Sequence, residues 1–363
     1  MAGNPEAGRP PAAPQSARIA LIAATLATLG LLVLIYAGSR GLRDFDSALI
    51  GYAMATVVAF AALVYRYTVW IMRPPTWRYF KGGWSSFLSW RNFRRYTLLV
   101  PTAWWTDIFA QTFIFRRSPR RWLMHMSIFW GVVLSLAITV PLSFGWVRFT
   151  LRPQDDYEMW AFGVKLLVFP LDTVLSFAIF HALNFTAILV LIGVALAFWR
   201  RSREQGPLLT QRFGFDLLPL VLLAAVAITG LTLTLSSALW DGRYYSFLSF
   251  THEIVVVAWL LSLPFGKFFH IIERPATIGV RLYQRVTQDL REGALSGSDA
   301  RCRGCGELLP SARFIADLKA VLSDLGQDYD LDGDRGDLID YCPTCKRRLR
   351  AGAYYHLVGK RFL

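Results

Sequence analysis

Apolar residues gather into six long stretches separated by arginine-rich polar segments: Ile19–Ala37, Ala48–Tyr65, Trp122–Phe144, Val174–Trp199, Phe215–Leu235 and Phe247–His270. Each is close to the roughly 20 residues that a helix needs to cross the hydrocarbon core. The pattern predicts an all-α membrane protein built as a six-helix transmembrane bundle. Residues 1–17, rich in Pro, Ala and Gly, read as a disordered tail, and 18–72 as two N-terminal transmembrane helices. Residues 73–121 interleave Trp77, Trp84, Trp90, Trp104 and Trp105 with arginines, a mixture suited to short interfacial helices in the headgroup zone. Residues 122–273 hold the other four spans. Met159–Asp172, which contains Lys165 and Pro170, reads as an amphipathic piece folding part-way into the membrane. From 274 to 363 the hydrophobicity drops, and Gly/Asp turns and all four cysteines mark a small water-facing domain.

Composition strengthens this picture: the chain is 54% hydrophobic and only 18% charged over 363 residues, a balance that points away from a soluble globular protein. The first apolar run is longer than a signal-peptide core and is followed by no small-residue cleavage site, so it is expected to be retained. The formal charge of +14 is better explained by the positive-inside bias than by nucleic-acid binding, because the arginines cluster beside spans. Between the second and third spans stand Arg66, Arg73, Arg78, Lys81, Arg91, Arg94, Arg95, Arg116, Arg117, Arg120 and Arg121 against one acid, Asp107. That loop is expected to be cytoplasmic, as is the one with Arg200, Arg201, Arg203 and Arg212. Both termini then face the cytoplasm of a bacterial plasma membrane.

Four of the five histidines lie in predicted spans: His125, His181, His252 and His270. Ionisable groups inside a membrane are costly and mark functional sites by default. His252 and His270 are eighteen residues apart, which on one continuous helix makes five turns and places both rings on one face, about 27 Å apart. Alternating the direction of successive spans puts His125 level with His270 at the inner side and His181 level with His252 at the outer side. Two same-depth pairs are what two bis-histidine haems stacked across a bilayer require. A proton relay would usually add buried carboxylates, and the cores of the third, fifth and sixth spans have none. Pro264, between His252 and His270, can kink that helix. Arg117, Arg120, Arg121, Lys267 and Arg274 are available as propionate counter-charges at the inner level or as ordinary anchors. Arg243 is the thin supply outside.

The run Phe250-Thr-His252-Glu-Ile-Val-Val-Val-Ala-Trp-Leu-Leu-Ser-Leu-Pro264-Phe-Gly-Lys267-Phe-Phe-His270-Ile-Ile-Glu-Arg-Pro275 resembles the last helix of the gamma subunit of respiratory nitrate reductase. It is also similar to helices of relatives in heterodisulfide-reductase-type and sulfite-reductase-linked membrane complexes. Trp122-Leu-Met-His125-Met-Ser-Ile-Phe-Trp-Gly131 is similar to that family's first haem-bearing helix, and Leu191-to-Arg201 to its next. The resemblance covers roughly residues 118–276. It implies His125 with His270 as ligands of one haem b and His252 as a ligand of a second. Where the family has a further histidine ten residues after the first, this chain has Ser135, and His181 is the physically sensible replacement. The resemblance further implies electron exchange between membrane quinone and a cytoplasmic iron–sulfur (heterodisulfide-reductase-like) subunit, with a catalytic subunit in a larger complex. Tyr244, Tyr245, Lys165 and Asp172 near the outer level are polar groups available to a quinone or as interfacial anchors. The competing expectation is a non-redox transporter or assembly scaffold with histidines along a polar path.

Cys302-Arg-Gly-Cys305 and Cys342-Pro-Thr-Cys345 form two CxxC knuckles in the tail. A reducing cytoplasm argues against disulfides there, and four thiolates suit one tetrahedral zinc. The knuckles also look like those of rubredoxin, which leaves iron open, although Lys346 stands where that pattern has glycine. Asp328-Tyr-Asp330-Leu-Asp332-Gly333 matches the start of a calcium loop, but its twelfth position is Ile339 rather than Glu. His356 reads as a surface residue.

Overall fold

The computed structural model describes residues 13–88, 90–153, 156–203, 212–283, 300–310, 312–331 and 333–358. The chain divides into two compact units: Ala17–Thr68 with Trp105–Glu273, and Val69–Trp104 with the described residues from Arg274 onward. In chain order the helices are α1 (Ala13–Gly38), α2 (Ile50–Ile71), α3 (Pro74–Leu88), α4 (Trp90–Tyr96), α5 (Leu99–Ala103), α6 (Thr112–Arg117), α7 (Pro119–Ser143), α8 (Val174–Phe180), α9 (Ala182–Arg203), α10 (Leu218–Leu239), α11 (Tyr245–Ser262), α12 (His270–Glu273), α13 (Ala312–Asp324) and α14 (Pro343–Val358). Six helical stretches among the described residues are long and apolar enough to cross a membrane, a set compatible with a multi-pass membrane protein.

The first unit is organised around α7, α9, α10 and α11, whose shared core includes Val132, Val190, Val194, Leu223, Trp259 and Leu260. Helices α7 and α9 approach closely because each sets a glycine against the other's backbone. A Cβ on Gly193 would stand 2.8 Å from the Ile128 nitrogen and 2.9 Å from the Met124 carbonyl oxygen, and one on Gly131 would be 3.0 Å from the Thr186 carbonyl oxygen. Such small-residue contacts are how helices pack where lipid gives no hydrophobic drive to associate. Outward-facing Leu21, Leu26 and Val33 of α1 are more than half exposed, as a lipid-facing helix requires.

The span linking α7 to α8 corrects the all-α expectation. Met159–Asp172 is not an amphipathic helix: the chain forms an antiparallel sheet β1 (Val147–Leu151), β2 (Asp156–Ala161) and β3 (Val164–Pro170), in the order β1-β2-β3. Phe162 and Gly163, both with positive φ (51° and 79°), make the two-residue turn whose twist suits a hairpin. The sheet leans on α8 through Phe149 and Tyr157, whose rings lie 5.3 and 4.7 Å from Phe180. Glu158 is buried and is held by Arg152 at 2.7 Å, Lys165 at 3.3 Å and the Trp160 indole N–H at 3.1 Å. In the α1–α2 turn, Arg40 forks onto Asp44 (2.7 and 2.6 Å), and Arg148 of β1 reaches the same carboxylate at 3.2 Å.

The Arg40 hydrogen bond is the main reason why the Asp44 carboxyl titrates below its ordinary range, with Arg148 adding to it and desolvation opposing it. A depressed folded pKa means stability that is complete above the unfolded value of about 4 and lost as pH falls through the folded one. Asp44→Ala is expected to cost about 2 kcal/mol at neutral pH, the scale of charged hydrogen bonds. The difference from the parent should shrink below about pH 4. Thermal unfolding of detergent-solubilised protein in a pH series from 7 downward through 4 checks both; a gap that does not narrow progressively below about pH 4 refutes the ion-pair account.

Two predicted spans are broken. Val174–Trp199 is interrupted at His181, which separates α8 from α9. The last span does not run continuously to His270: α11 stops at Ser262, a short 3-10 turn follows at Lys267–Phe269, and α12 begins at His270. Pro264 has no N–H to give and its ring clashes with the preceding turn. Arg66 of α2 donates to the Pro264 carbonyl and lies 4.2 Å over the Phe269 ring, so a side chain satisfies a carbonyl group that the break leaves outside regular helix. The straight-helix spacing of about 27 Å between His252 and His270 therefore does not apply.

In the second unit, α3 packs on α13. Tyr283 is fully buried, its hydroxyl donates to Asp317, and Arg78 reaches Asp317 and Asp324 at 3.6 and 3.4 Å. Part of the tryptophan- and arginine-rich segment thus packs against the cysteine domain rather than serving only as a headgroup-zone linker. The core of that domain is Cys302, Leu309, Ile315, Ile339, Tyr341, Cys342 and Cys345; Ile339, the twelfth position of the calcium-loop pattern, is part of it. The calcium-loop residue Asp332 and residues 1–12 of the expected tail lie outside the described residues, as does the His356 side chain, while tail residues 13–17 are not disordered but open α1.

Candidate functional site

Helix α7 and the turn after Pro264 bring His125 and His270 together, with ring centres 6.5 Å apart at an interplanar angle of 66°. Two imidazoles ligating one iron, with Fe–N near 2 Å and about 1.1 Å from each nitrogen to its ring centre, would have centres about 6.3 Å apart. The structure thus brings the two histidines of the expected inner pair side by side, at a ring separation compatible with two imidazoles sharing one metal ion. The geometry comes from the break and not from a regular helix. The His270 Nδ1 lies 2.5 Å from the Lys267 carbonyl oxygen. A carbonyl only accepts, so Nδ1 carries the proton and the lone pair is left on Nε2, the form in which a histidine ligates a metal.

His252 reaches the same state through a hydroxyl. Thr229 Oγ1 is 2.8 Å from His252 Nδ1 and 2.7 Å from the Ala225 carbonyl oxygen. The single hydroxyl proton goes to the carbonyl, which makes Nδ1–H the donor to Thr229 and again frees Nε2. Gly230, on the next position of α10, lets the ring approach: a Cβ there would be 3.2 Å from the His252 Cε1. Neither Thr229 nor Gly230 was anticipated from the sequence, where a Thr-Gly pair inside an apolar run was the available signal.

His252 lines a cavity of about 310 Å³ together with Tyr52, Ser135, Asn184, Thr234 and Trp259, at the lower end of ligand-pocket sizes. Trp259 Nε1 is buried with no hydrogen-bond partner among the described residues, so a ligand offering an acceptor would complete the wall. Ser135, which stands where the resemblance has a second histidine, donates to Thr186 Oγ1 at 2.7 Å.

His181 is not brought to this cavity. Its ring stacks on Phe177 with centres 4.1 Å apart, and its Nδ1 is 3.0 Å from the Phe177 carbonyl oxygen. The two histidines of the expected outer pair are therefore not brought together: His252 lines the cavity, and His181 stacks on Phe177. Nor do Tyr244, Tyr245, Lys165 and Asp172 converge on the cavity, since none lines it. Lys165 is engaged with Glu158, and Lys267 pairs with Asp216 at 2.6 Å.

The four cysteines form a second centre. Their sulfurs all lie within 4.8 Å of one another, with Cys305 and Cys342 3.6 Å apart. Four sulfurs at about 2.3 Å from one ion would be about 3.8 Å apart, so the cluster has the size to hold one metal ion such as zinc or iron. The knuckle is built by backbone: Gly306, at φ +73°, donates to the Cys302 carbonyl oxygen at 2.9 Å, and Cys342 N–H donates to Cys302 Sγ at 3.2 Å. Burial raises the Cys302 thiol, but N–H donors from Cys342, Cys305 and Gly304 outweigh it and bring it down to about 6. Hydrogen bonding to Cys305, with burial, pushes Cys345 up to about 12. Four adjacent thiols cannot all ionise without a cation among them.

Comparison with protein-family models, curated proteins and solved structures finds no match to this chain.

Proposed function

We propose that the chain is a membrane-anchoring di-haem cytochrome b subunit of a respiratory oxidoreductase complex. It would exchange electrons between membrane quinone and a cytoplasmic iron–sulfur partner. The observation that carries this reading is the apposition of His125 and His270 at 6.5 Å. Haem b, when bound, supplies a one-electron redox centre whose potential its surroundings tune. The chain's own part is to fix ligand tautomers: the Lys267 carbonyl does so for His270 and Thr229 for His252. Val132, Leu223 and Val256 give the His252 cavity apolar walls. On this reading the arginine-rich loops are cytoplasmic, and the cysteine cluster holds a structural zinc, with iron as the alternative metal. An outer haem with His181 as its second ligand requires the His181 ring to leave Phe177.

Absorption spectroscopy of the purified full chain from haem-sufficient cells is the test. Reduced b-type bands at about two haems per chain are expected. His181→Ala is expected to remove one and leave the other, whereas a variant that keeps both would show that the outer ligand lies elsewhere. A colourless preparation would overturn the cytochrome reading in favour of a transporter or scaffold with a metal-binding tail.

A further inference from the structure

Where α7 begins and α9 ends, five guanidinium groups surround one cavity. Arg117, Arg120 and Arg121 come from one side and Arg200 and Arg203 from the other, around about 700 Å³; no acidic side chain lines it among the described residues. The remaining walls are Ser118 and the apolar Leu123, Met124, Leu196 and Trp199.

The two helix ends make this arrangement uneven in cost. At the C-terminus of α9, arginines complement the negative end of the helix dipole. At the N-terminus of α7, Arg120 and Arg121 sit on the positive end, and the first turn there has no acidic residue, whereas Arg117 closes the last turn of α6. Cations at that end are disfavoured by the dipole and by one another. A local electrostatic conflict of this kind is the signature of a site that is completed by something else. An ordinary anchoring role needs basic side chains near the membrane surface; it does not need five of them gathered around one cavity with an apolar floor.

The structure assigns this cavity, we propose, to the phosphate-bearing headgroup of an anionic membrane lipid. Planar guanidinium groups pair bidentately with phosphate oxygens, and the positive end of α7 adds to the same attraction. Leu196, Trp199, Leu123 and Met124 offer the surface that an acyl or glycerol moiety would cover. A free phosphate would satisfy the arginines and leave those walls bare, which is why the lipid is the occupant proposed. His125, one turn along α7 from Arg121, does not line the cavity, so the inference stands apart from any haem.

The test uses the full chain in mild detergent, with bound lipid read by native mass spectrometry. The parent is expected to retain about one anionic phospholipid per chain. Arg120→Gln with Arg203→Gln should weaken retention about 30-fold, at roughly fivefold per guanidinium near a membrane surface. Arg94→Gln with Arg95→Gln, on α4 outside the cavity, should leave it unchanged. Should the first pair fail to fold, delipidated parent protein titrated with short-chain phosphatidylglycerol against phosphatidylcholine gives the same answer. Equal affinity for the two lipids overturns the proposal. So does equal loss in both variant pairs, which would mean general surface attraction, or retention of inorganic phosphate with no displacement by the anionic lipid. A variant that loses haem while keeping its lipid would overturn it too and give the arginines to propionates.

Discussion

Replacing His270 with alanine is expected to lower the haem content of the purified chain from about two to about one, without loss of the folded membrane unit. The ring contributes little packing of its own, since it is only half-buried, so the variant deletes a ligand and not a core. Its partner His125 would remain on α7, facing the space that the missing ring leaves. Added imidazole should enter that space and restore the lost absorption, a rescue that a structural role for His270 would not give. His125→Ala should produce the same spectrum, and the double variant should be no worse than either single one, because both remove the same group. The effect on the second haem is expected to be small, for His252 is held by Thr229 on α10 and not by the turn that carries His270. Haemochrome quantitation of the four proteins decides it. Full haem content in His270→Ala would detach the 6.5 Å apposition from any cofactor.

The long apolar helices were legible because length and apolarity are sufficient to mark a helix able to cross a membrane: all six predicted runs reappear, extended or broken at their ends. The break after Ser262 was also written in the chain, as Pro264. What could not be read was its consequence, because the Arg66 contact to the Pro264 carbonyl joins residues 198 positions apart. The hairpin of β2 and β3 was misread as an amphipathic piece entering the membrane for a local reason. Val164-to-Phe169 is apolar at five of six positions, a run whose period does not separate strand from helix. The turn itself sets a bulky Phe162 at positive φ, where sequence preference gives little warning. The cysteine cluster was fully legible, since two CxxC knuckles encode their own local geometry. The pairing of His181 was not, because a side chain's choice between stacking on Phe177 and facing a cavity is a rotamer question decided by neighbours. The packing of α3 on α13 escaped notice for a compositional reason: tryptophan and arginine suit a lipid headgroup and a protein surface equally well.

Cys342→Ala is expected to abolish metal binding and unfold the C-terminal unit while leaving the α-helical membrane unit, and any haem in it, intact. Cys342 is 1% exposed and Cys302 is 3% exposed, and together with Cys345 they make up three of the seven residues of that unit's core. A core so small and so dependent on sulfur is expected to need an ion in order to stay folded. Structural zinc sites of this type contribute apparent binding energies of about 10–16 kcal/mol near neutral pH, as large as the whole stability of most domains, about 5–15 kcal/mol. Chelation of the parent protein should therefore reproduce the variant. The pH dependence has a fixed sign. Without metal, Cys345 holds its proton to about 12, so loading the site must expel protons, and affinity must fall as pH falls. Limited proteolysis of the region around α13 and α14, with metal content measured in parallel, follows both events. Rapid cleavage there with an unchanged haem spectrum is the expected result. A Cys342→Ala chain that resists the protease as well as the parent would mean that the four sulfurs do not hold this unit together. An absorption band from iron–thiolate bonds in the parent, lost in the variant, would choose iron over zinc, since zinc has no d-electron transitions to show.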